Sequence, residues 1–267
     1  MSLSLKNKIV LVTGASSGIG EACAKIFAQN GAKLILCARR EERIKKLAAE
    51  FKKQYNTMCH LLVLDVSKRD AVAQKISTLP NDWQNIDILV NNAGLAAGLD
   101  KIQDGNIDDW ESMIDTNLKG LLYVTRAVMP NMIKHNAGHI INIGSIAGQE
   151  IYPKGNVYLA TKHAVRALTK AFKVDLLGTN IRVSTVDPGM VETEFSIVRW
   201  KGDVERAKNF YADLQPLVAE DIADAVYYCA SRPPHVNILE LVVMPTAQSS
   251  ATQVHRKGGA SSDVFSK

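Results

Sequence analysis

Cysteine is scarce in this 267-residue chain: Cys23, Cys37, Cys59 and Cys229 are the only four, and no two form a CxxC pair. Each lies in an apolar or amphipathic segment, so a disulfide framework is not expected. Core packing in a reducing compartment is. Long apolar runs are missing as well, which excludes a membrane span. The first residues, Met1 to Lys8, lead straight into a short apolar strand and lack the apolar run and cleavage site of a signal peptide. A cytoplasmic protein is the expectation. Histidines number six, scattered without metal-ligand spacing, so no catalytic metal is expected. No Pro/Gly/Ser linker divides the chain and no internal repeat appears. The formal net charge is +5, with Lys and Arg spread along the sequence. That balance suits an anionic cofactor but lacks the clustering of a nucleic-acid binder, and no nucleic-acid or membrane partner is expected.

What the chain does have is alternation. An apolar content of 46% supports a full core. Short apolar runs, Ile9–Val12, Leu34–Cys37, His60–Leu64, Ile86–Val90, His139–Ile143, Ile181–Val186 and Leu239–Val243, read as buried strands. Between them lie amphipathic helices: Glu21 to Gln29 with Asn30-Gly31 as its C-cap, Glu41 to about Gln54, a long helix within 107–134, and Asn156 to Leu177. Continuous apolar strands separated by helices predict an α/β fold with a parallel sheet covered on both faces. One catalytic domain over 1–248 is expected. A polar tail over 249–267 reads as a frayed terminus or as an arm reaching a neighbouring subunit. The insert at about 192–217 follows the sixth strand, where loops face the ligand crevice.

Two constellations carry chemistry. The first is Thr13-Gly14-x-Ser16-Ser17-Gly18-Ile19-Gly20, which follows a strand and opens a helix, as a phosphate cradle must. Gly14 permits the turn, Gly18 lets the backbone approach a pyrophosphate, and Gly20 permits close packing. After the second strand a carboxylate would favour NAD. This chain has Ala38-Arg39-Arg40, and two guanidinium groups suit the 2′-phosphate of NADP(H), with a hydrogen bond from Ser16 or Ser17. Asp65 and Val66 would hold the adenine edge; Asn91, Asn92, Ala93 and Gly94 would line the nicotinamide side. The second constellation is Ser145 with Tyr158 and Lys162, the last two one helical turn apart. Free tyrosine, with a pKa of about 10, is a poor base at neutral pH, and a nearby ammonium favours its phenolate. Tyr158 is therefore expected to move the proton, Lys162 to lower its pKa and bind the nicotinamide ribose, and Ser145 to hold the substrate oxygen. His163, next to Lys162, reads as structural.

These motifs, with Asn117 and Pro188-Gly189-x-x-x-Thr193, resemble the short-chain dehydrogenase/reductase family over nearly the whole chain. The resemblance implies a Rossmann-type doubly wound sheet of seven strands ordered 3-2-1-4-5-6-7. It implies a homotetramer or dimer paired through the helices containing Asn117 and Tyr158. It also implies that Asn117 binds a water completing a proton relay, and that Pro188, Gly189, Val191 and Thr193 border the cofactor. Within the family, Val191 to Gly202, His235 to Ile238, Met244 to Thr246 and Val254 to Arg256 are similar to the NADP-dependent 3-hydroxy acid dehydrogenases of serine and L-allo-threonine type. The substrate expected is a short 3-hydroxy acid such as L-serine, L-allo-threonine, 3-hydroxyisobutyrate or 3-hydroxypropionate. Its carboxylate needs a cation, for which Arg199 and Lys201 are candidates, with Gln149 adding a hydrogen bond. Phe195, Trp200 and Tyr211 are candidates for an apolar lid. The alternatives are an NADPH-dependent reductase of bulkier ketones, quinones or 3-oxoacyl thioesters, and a non-catalytic NADP-binding protein.

Overall fold

The computed structural model describes residues 3–259 and 262–263. Its strands are β1 (Ile9–Thr13), β2 (Lys33–Ala38), β3 (Cys59–Val63), β4 (Ile88–Asn91), β5 (Gly138–Ile143), β6 (Ile181–Pro188) and β7 (Glu240–Val243). All pair in parallel, in the order β3-β2-β1-β4-β5-β6-β7, as the resemblance implied. Alternation along β1 shows how the layers form. Val10 and Val12 face a core shared with Phe27 and Val226, while Ile9 and Leu11 face the opposite core with Val128 and Met132. Both faces of a central strand are thus covered, which is why its sequence is continuously apolar.

The first face carries α1 (Gly18–Gln29), α2 (Glu41–Tyr55) and a helix the sequence reading did not identify, Ala219–Ala230. On the opposite face lie α3 (Arg69–Ser77), α4 (Ile107–Met113), α5 (Leu121–His135) and α6 (Asn156–Asp175). The expected cap after α1 is present, Gly31 taking φ +75°. The fourth strand starts at Ile88, two residues later than predicted, and the Asp87 carboxylate just before it accepts from the Ile9 amide (2.9 Å) and the Lys8 ammonium (2.7 Å). The predicted long helix is helical throughout 107–135, but residues 114–120 form a π-helical stretch. The insert folds as α7 (Glu194–Arg199) and α8 (Val204–Phe210), followed by α9, the helix at Ala219–Ala230.

From β1 the chain adds β2 and β3 on one side and then β4 to β7 on the other, and this switch in strand order between β1 and β4 opens a crevice at the carboxyl ends of the parallel strands. The frayed-terminus reading is corrected for residues 249–259. Ala251 and Val254 are buried, the Ala251 amide donates to Glu150 Oε2 (2.7 Å), and the Lys257 amide donates to the Asp213 carbonyl (2.8 Å). The Arg256 guanidinium caps the carbonyls of Phe210 and Ala212. Residues 260–261 and 264–267 of the expected tail lie outside the described residues. Among the described residues no helix is long and apolar enough to cross a membrane.

Candidate active site

The glycine loop turns through Gly14 at φ +67° and Gly18 at φ +54°, a left-handed backbone that a side chain would strain. A Cβ on Gly20 would meet the Gly14 carbonyl, so α1 starts pressed against its own loop. Asn92 ties the loop to β4, its Nδ2 donating to the Thr13 carbonyl at 2.9 Å. Free amides at the start of α1 then face the crevice, a ready site for phosphate. At the outer end, Arg40 Nε and Nη2 donate to Ser16 Oγ (3.0 and 2.9 Å), and Nη2 also donates to Ser17 Oγ (2.7 Å). Arg39 borders the same cavity. Burial works to raise the Asp65 carboxyl, but two hydrogen bonds from Ser67 and the Arg39 guanidinium outweigh it and hold the group below the usual carboxylate range.

The inner end is assembled by β5, α6 and α7. Ser145 follows β5 through Gly144, where a Cβ would collide with Asp187 Oδ1. The Ser145 hydroxyl accepts from the Ala147 amide (3.1 Å) and hydrogen-bonds Tyr158. Tyr158 and Lys162 stand one turn apart on α6, each with 8% exposure. Lys162 Nζ donates to the Ile143 carbonyl (2.9 Å), and burial depresses the ammonium to about 8 against the pull of Asp187. Burial pushes the Tyr158 phenol well up, and Tyr152 adds to this. The Arg199 charge and the Ser145 hydrogen bond oppose them only in part. The Lys162 ammonium lies 5.9 Å from the Tyr158 ring centre while donating to Ile143, and Arg199 is a second cation beside the phenol.

Arg199 ends α7 with 7% exposure. Its guanidinium carbon lies 5.0 Å from the Tyr158 ring centre and 5.8 Å from that of Phe195, and Nη2 donates to the Tyr152 hydroxyl (2.6 Å). Its Nε is buried without a partner. One cavity of about 370 Å³ joins the glycine loop, Arg39 and Arg40 to Ser145, Tyr158, Lys162 and Arg199.

The short chain dehydrogenase family model matches residues 8–203. The chain belongs to the short chain dehydrogenase family. Among its relatives, the NADP-dependent 3-hydroxy acid dehydrogenase of Salmonella typhi is 49% identical over 250 residues, 93% of this chain and 99% of that protein. Sulfoacetaldehyde reductase 2 of Chromohalobacter salexigens is 48% identical over 250 residues, 93% of this chain and 98% of its own. The closed form of serine dehydrogenase complexed with NADP+ superposes with a TM-score of 0.87 at 48% identity, covering 93% of this chain and 100% of that one.

In this short chain dehydrogenase, Ile19, Val66, Ala93, Gly94, Pro188, Gly189, Val191 and Thr193 line the cavity with the residues above. Asn117 does not line it. Its amide bridges both main-chain groups of Leu95 (2.8 Å each) and donates to Thr161 (3.1 Å), bracing the loop after β4. Two substrate candidates are corrected. Gln149 donates to Asp187 Oδ2 (2.9 Å), and the exposed Lys201 pairs with Asp109 (2.9 Å); neither borders the cavity. Trp200 likewise packs against Phe210 and Arg206, while Phe195 and Tyr211 do line the cavity. Sequence reasoning missed Tyr152, Asp187 and Glu194. Tyr152 carries no local signal, since its role comes from a partner 47 positions away. Asp187 had one: a carboxylate directly before Pro188-Gly189 at the carboxyl end of β6, where the strand meets the crevice; it is buried at 1% exposure.

Proposed function

We propose that the protein interconverts a short 3-hydroxy acid and its carbonyl form with NADP(H), Arg199 holding the acid group beside Tyr158. The observation that carries this is the Arg199 guanidinium, buried at the cavity wall with its Nε unpartnered. Burying a cation is costly unless an anion and hydrogen bonds satisfy it. A carboxylate on the substrate supplies both. The names of the relatives support the same reading, as does the Arg39-Arg40 pair after β2 in place of a carboxylate.

Gly14, Ser16, Ser17 and Gly18 would hold the pyrophosphate, and Arg39 and Arg40 the 2′-phosphate. Bound there, the nicotinamide supplies the hydride donor or acceptor. Ser145 holds the reacting oxygen by a hydrogen bond. Tyr158 gives a proton to that oxygen in reduction and takes it in oxidation. Because burial keeps the phenol protonated, its proton is available for reduction at neutral pH, and oxidation gains as pH rises. Lys162, held by the Ile143 carbonyl, orients the ribose side, and Asn117 positions the loop over which the water relay would run.

A sulfonate would satisfy the same guanidinium, and the sulfoacetaldehyde reductase relative favours testing it. The four free cysteines support a cytoplasmic location, and we place the protein there as a homotetramer or dimer, checked by light scattering. We take residues 1–248 as the catalytic domain, with 249–259 packed onto it. The deciding experiment is steady-state oxidation of L-serine, L-allo-threonine, 3-hydroxyisobutyrate and 2-hydroxyethanesulfonate with NADP and with NAD. Saturable turnover preferring NADP is expected. Equal use of NAD would remove the role given to Arg39 and Arg40; turnover of bulky ketones alone would remove the acid.

A further inference from the structure

Glu194 is a contact the function above does not use. It opens α7, after Thr193, whose hydroxyl caps the helix by accepting from the Phe195 amide (3.3 Å). Its carboxylate reaches across the mouth of the cavity to the start of α2. Arg43 Nη1 donates to both of its oxygens (2.8 and 2.9 Å), and Arg40 Nη1 donates to Oε2 (3.1 Å). Burial works to raise the Glu194 carboxyl, but the two guanidinium groups outweigh it and hold it below the usual range. It is an anion throughout neutral pH.

We propose that Glu194 competes with the 2′-phosphate of the cofactor for Arg40 and Arg43 and so sets how strongly the enzyme prefers the phosphorylated dinucleotide. The proposal rests on the NADP reading above and deepens it. One carboxylate spanning two guanidinium groups imitates the charge and fork geometry that a phosphate monoester presents. The phosphate carries about −1.5 to −2 charge and three acceptor oxygens against one charge and two oxygens, so it wins the contest. Two anions cannot share the fork without repulsion, so phosphate binding costs the Glu194 contacts. The neutral 2′-hydroxyl of NAD makes no such demand, and Glu194 keeps its partners. Arg40 does not depend on Glu194 for its position, because Ser16 and Ser17 hold its Nε and Nη2. Removing the carboxylate charge therefore leaves a guanidinium already aimed and no longer occupied. Arg43, released from Glu194, becomes a further phosphate cation beside Arg39 and Arg40.

The test uses the full chain freed of nucleotide, and Glu194→Gln, a near-isosteric change at an exposed site. Calorimetric titration with 2′,5′-ADP and with 5′-AMP, which differ only by the 2′-phosphate, isolates that group from the rest of the cofactor. For two half-exposed ion pairs the expected gain is a Kd for 2′,5′-ADP tighter by about two- to tenfold at low salt, with 5′-AMP unchanged. The gain shrinks as salt rises. The NADP-to-NAD ratio of kcat/KM rises by a similar factor. An unchanged or weaker Kd for 2′,5′-ADP in the variant overturns the proposal, since Glu194 would then merely order the arginines. Equal tightening of 5′-AMP overturns it too, because the effect would not belong to the 2′-phosphate. A native protein that binds 5′-AMP and 2′,5′-ADP alike refutes the NADP reading itself, a separate measurement on a separate protein.

Discussion

Replacing Arg199 by methionine separates a substrate-binding cation from a structural one, because the two roles predict opposite stability effects. The side chain is 7% exposed; Tyr152 takes Nη2, and Nε is left without a partner. A substrate carboxylate meeting Nε and one remaining terminal N–H gains two charge-assisted hydrogen bonds. At about 1.5 kcal/mol each, their loss lowers kcat/KM for 3-hydroxyisobutyrate by roughly 10²-fold. The uncharged analogue 2-methyl-1-propanol has a methyl group where the carboxylate was, so its kcat/KM should fall far less than that of the acid, by only what losing the guanidinium charge beside the Tyr158 phenol costs. Methionine fills similar volume without a buried charge, so unfolding stability should hold or rise by about 1 kcal/mol, after allowing for the lost contacts with the Tyr158 and Phe195 rings. Steady-state kinetics on the two substrates and a urea melt decide the matter. Equal loss on acid and alcohol, together with a lowered melt, would refute the reasoning and leave Arg199 as a brace for α7.

Tyr158→Phe should lower kcat by about 10²- to 10⁴-fold while the Kd for NADP stays within about twofold, as measured by turnover and fluorescence titration. Gly144→Ala should destabilise the fold by about 1–3 kcal/mol in a thermal melt, because the new methyl overlaps the buried Asp187 carboxylate; a melt matching the native protein would contradict this. Stability should peak near pH 8 to 9. Lys162, depressed by burial to about 8, relieves its buried charge as pH rises through that value. Above pH 9 the unfolded thiols ionise, whereas burial holds Cys23 and Cys37 at about 12 and Cys59 and Cys229 at about 11. The unfolded state then binds fewer protons than the native one, and four thiols outweigh one lysine. Melting temperatures still climbing at pH 10.5 would sink that account.

The parts of this molecule legible in the sequence are those fixed by local rules. Strands buried on both faces must be continuously apolar, and the phosphate loop needs glycine where φ is positive, so β1, β2 and the Gly14–Gly20 turn could be read from residue order alone. The Tyr158–Lys162 pair is likewise a matter of helical spacing. Residues whose role depends on a distant partner were not legible. Gln149 has the right chemistry for a carboxylate, yet the buried Asp187, 38 positions away, claims it. Lys201, at φ +51° just beyond α7, is turned outward to Asp109. The π-helical stretch at 114–120 has no periodicity signal either; it accompanies the pairing of the Asn117 amide with Leu95.

The insert shows why substrate choice and fold are separable here. A six-residue helix such as α7 is far too short to be stable by itself. Its ends supply what its length cannot: Glu194 at the N-terminus and Arg199 at the C-terminus, each of the sign the helix dipole favours. Thr193 caps it, Arg40 and Arg43 hold its first residue, and Tyr152 and the Gly98 amide hold its last. These contacts all reach to the rim of the cavity and none to the sheet core. Substitutions that re-aim α7 should therefore alter which acid meets Tyr158 while leaving the sheet and its covering helices intact. The same economy ties the two proposed anion sites together, because the helix that would present Arg199 to the substrate is anchored through Glu194 to the arginines that would receive the cofactor's phosphate.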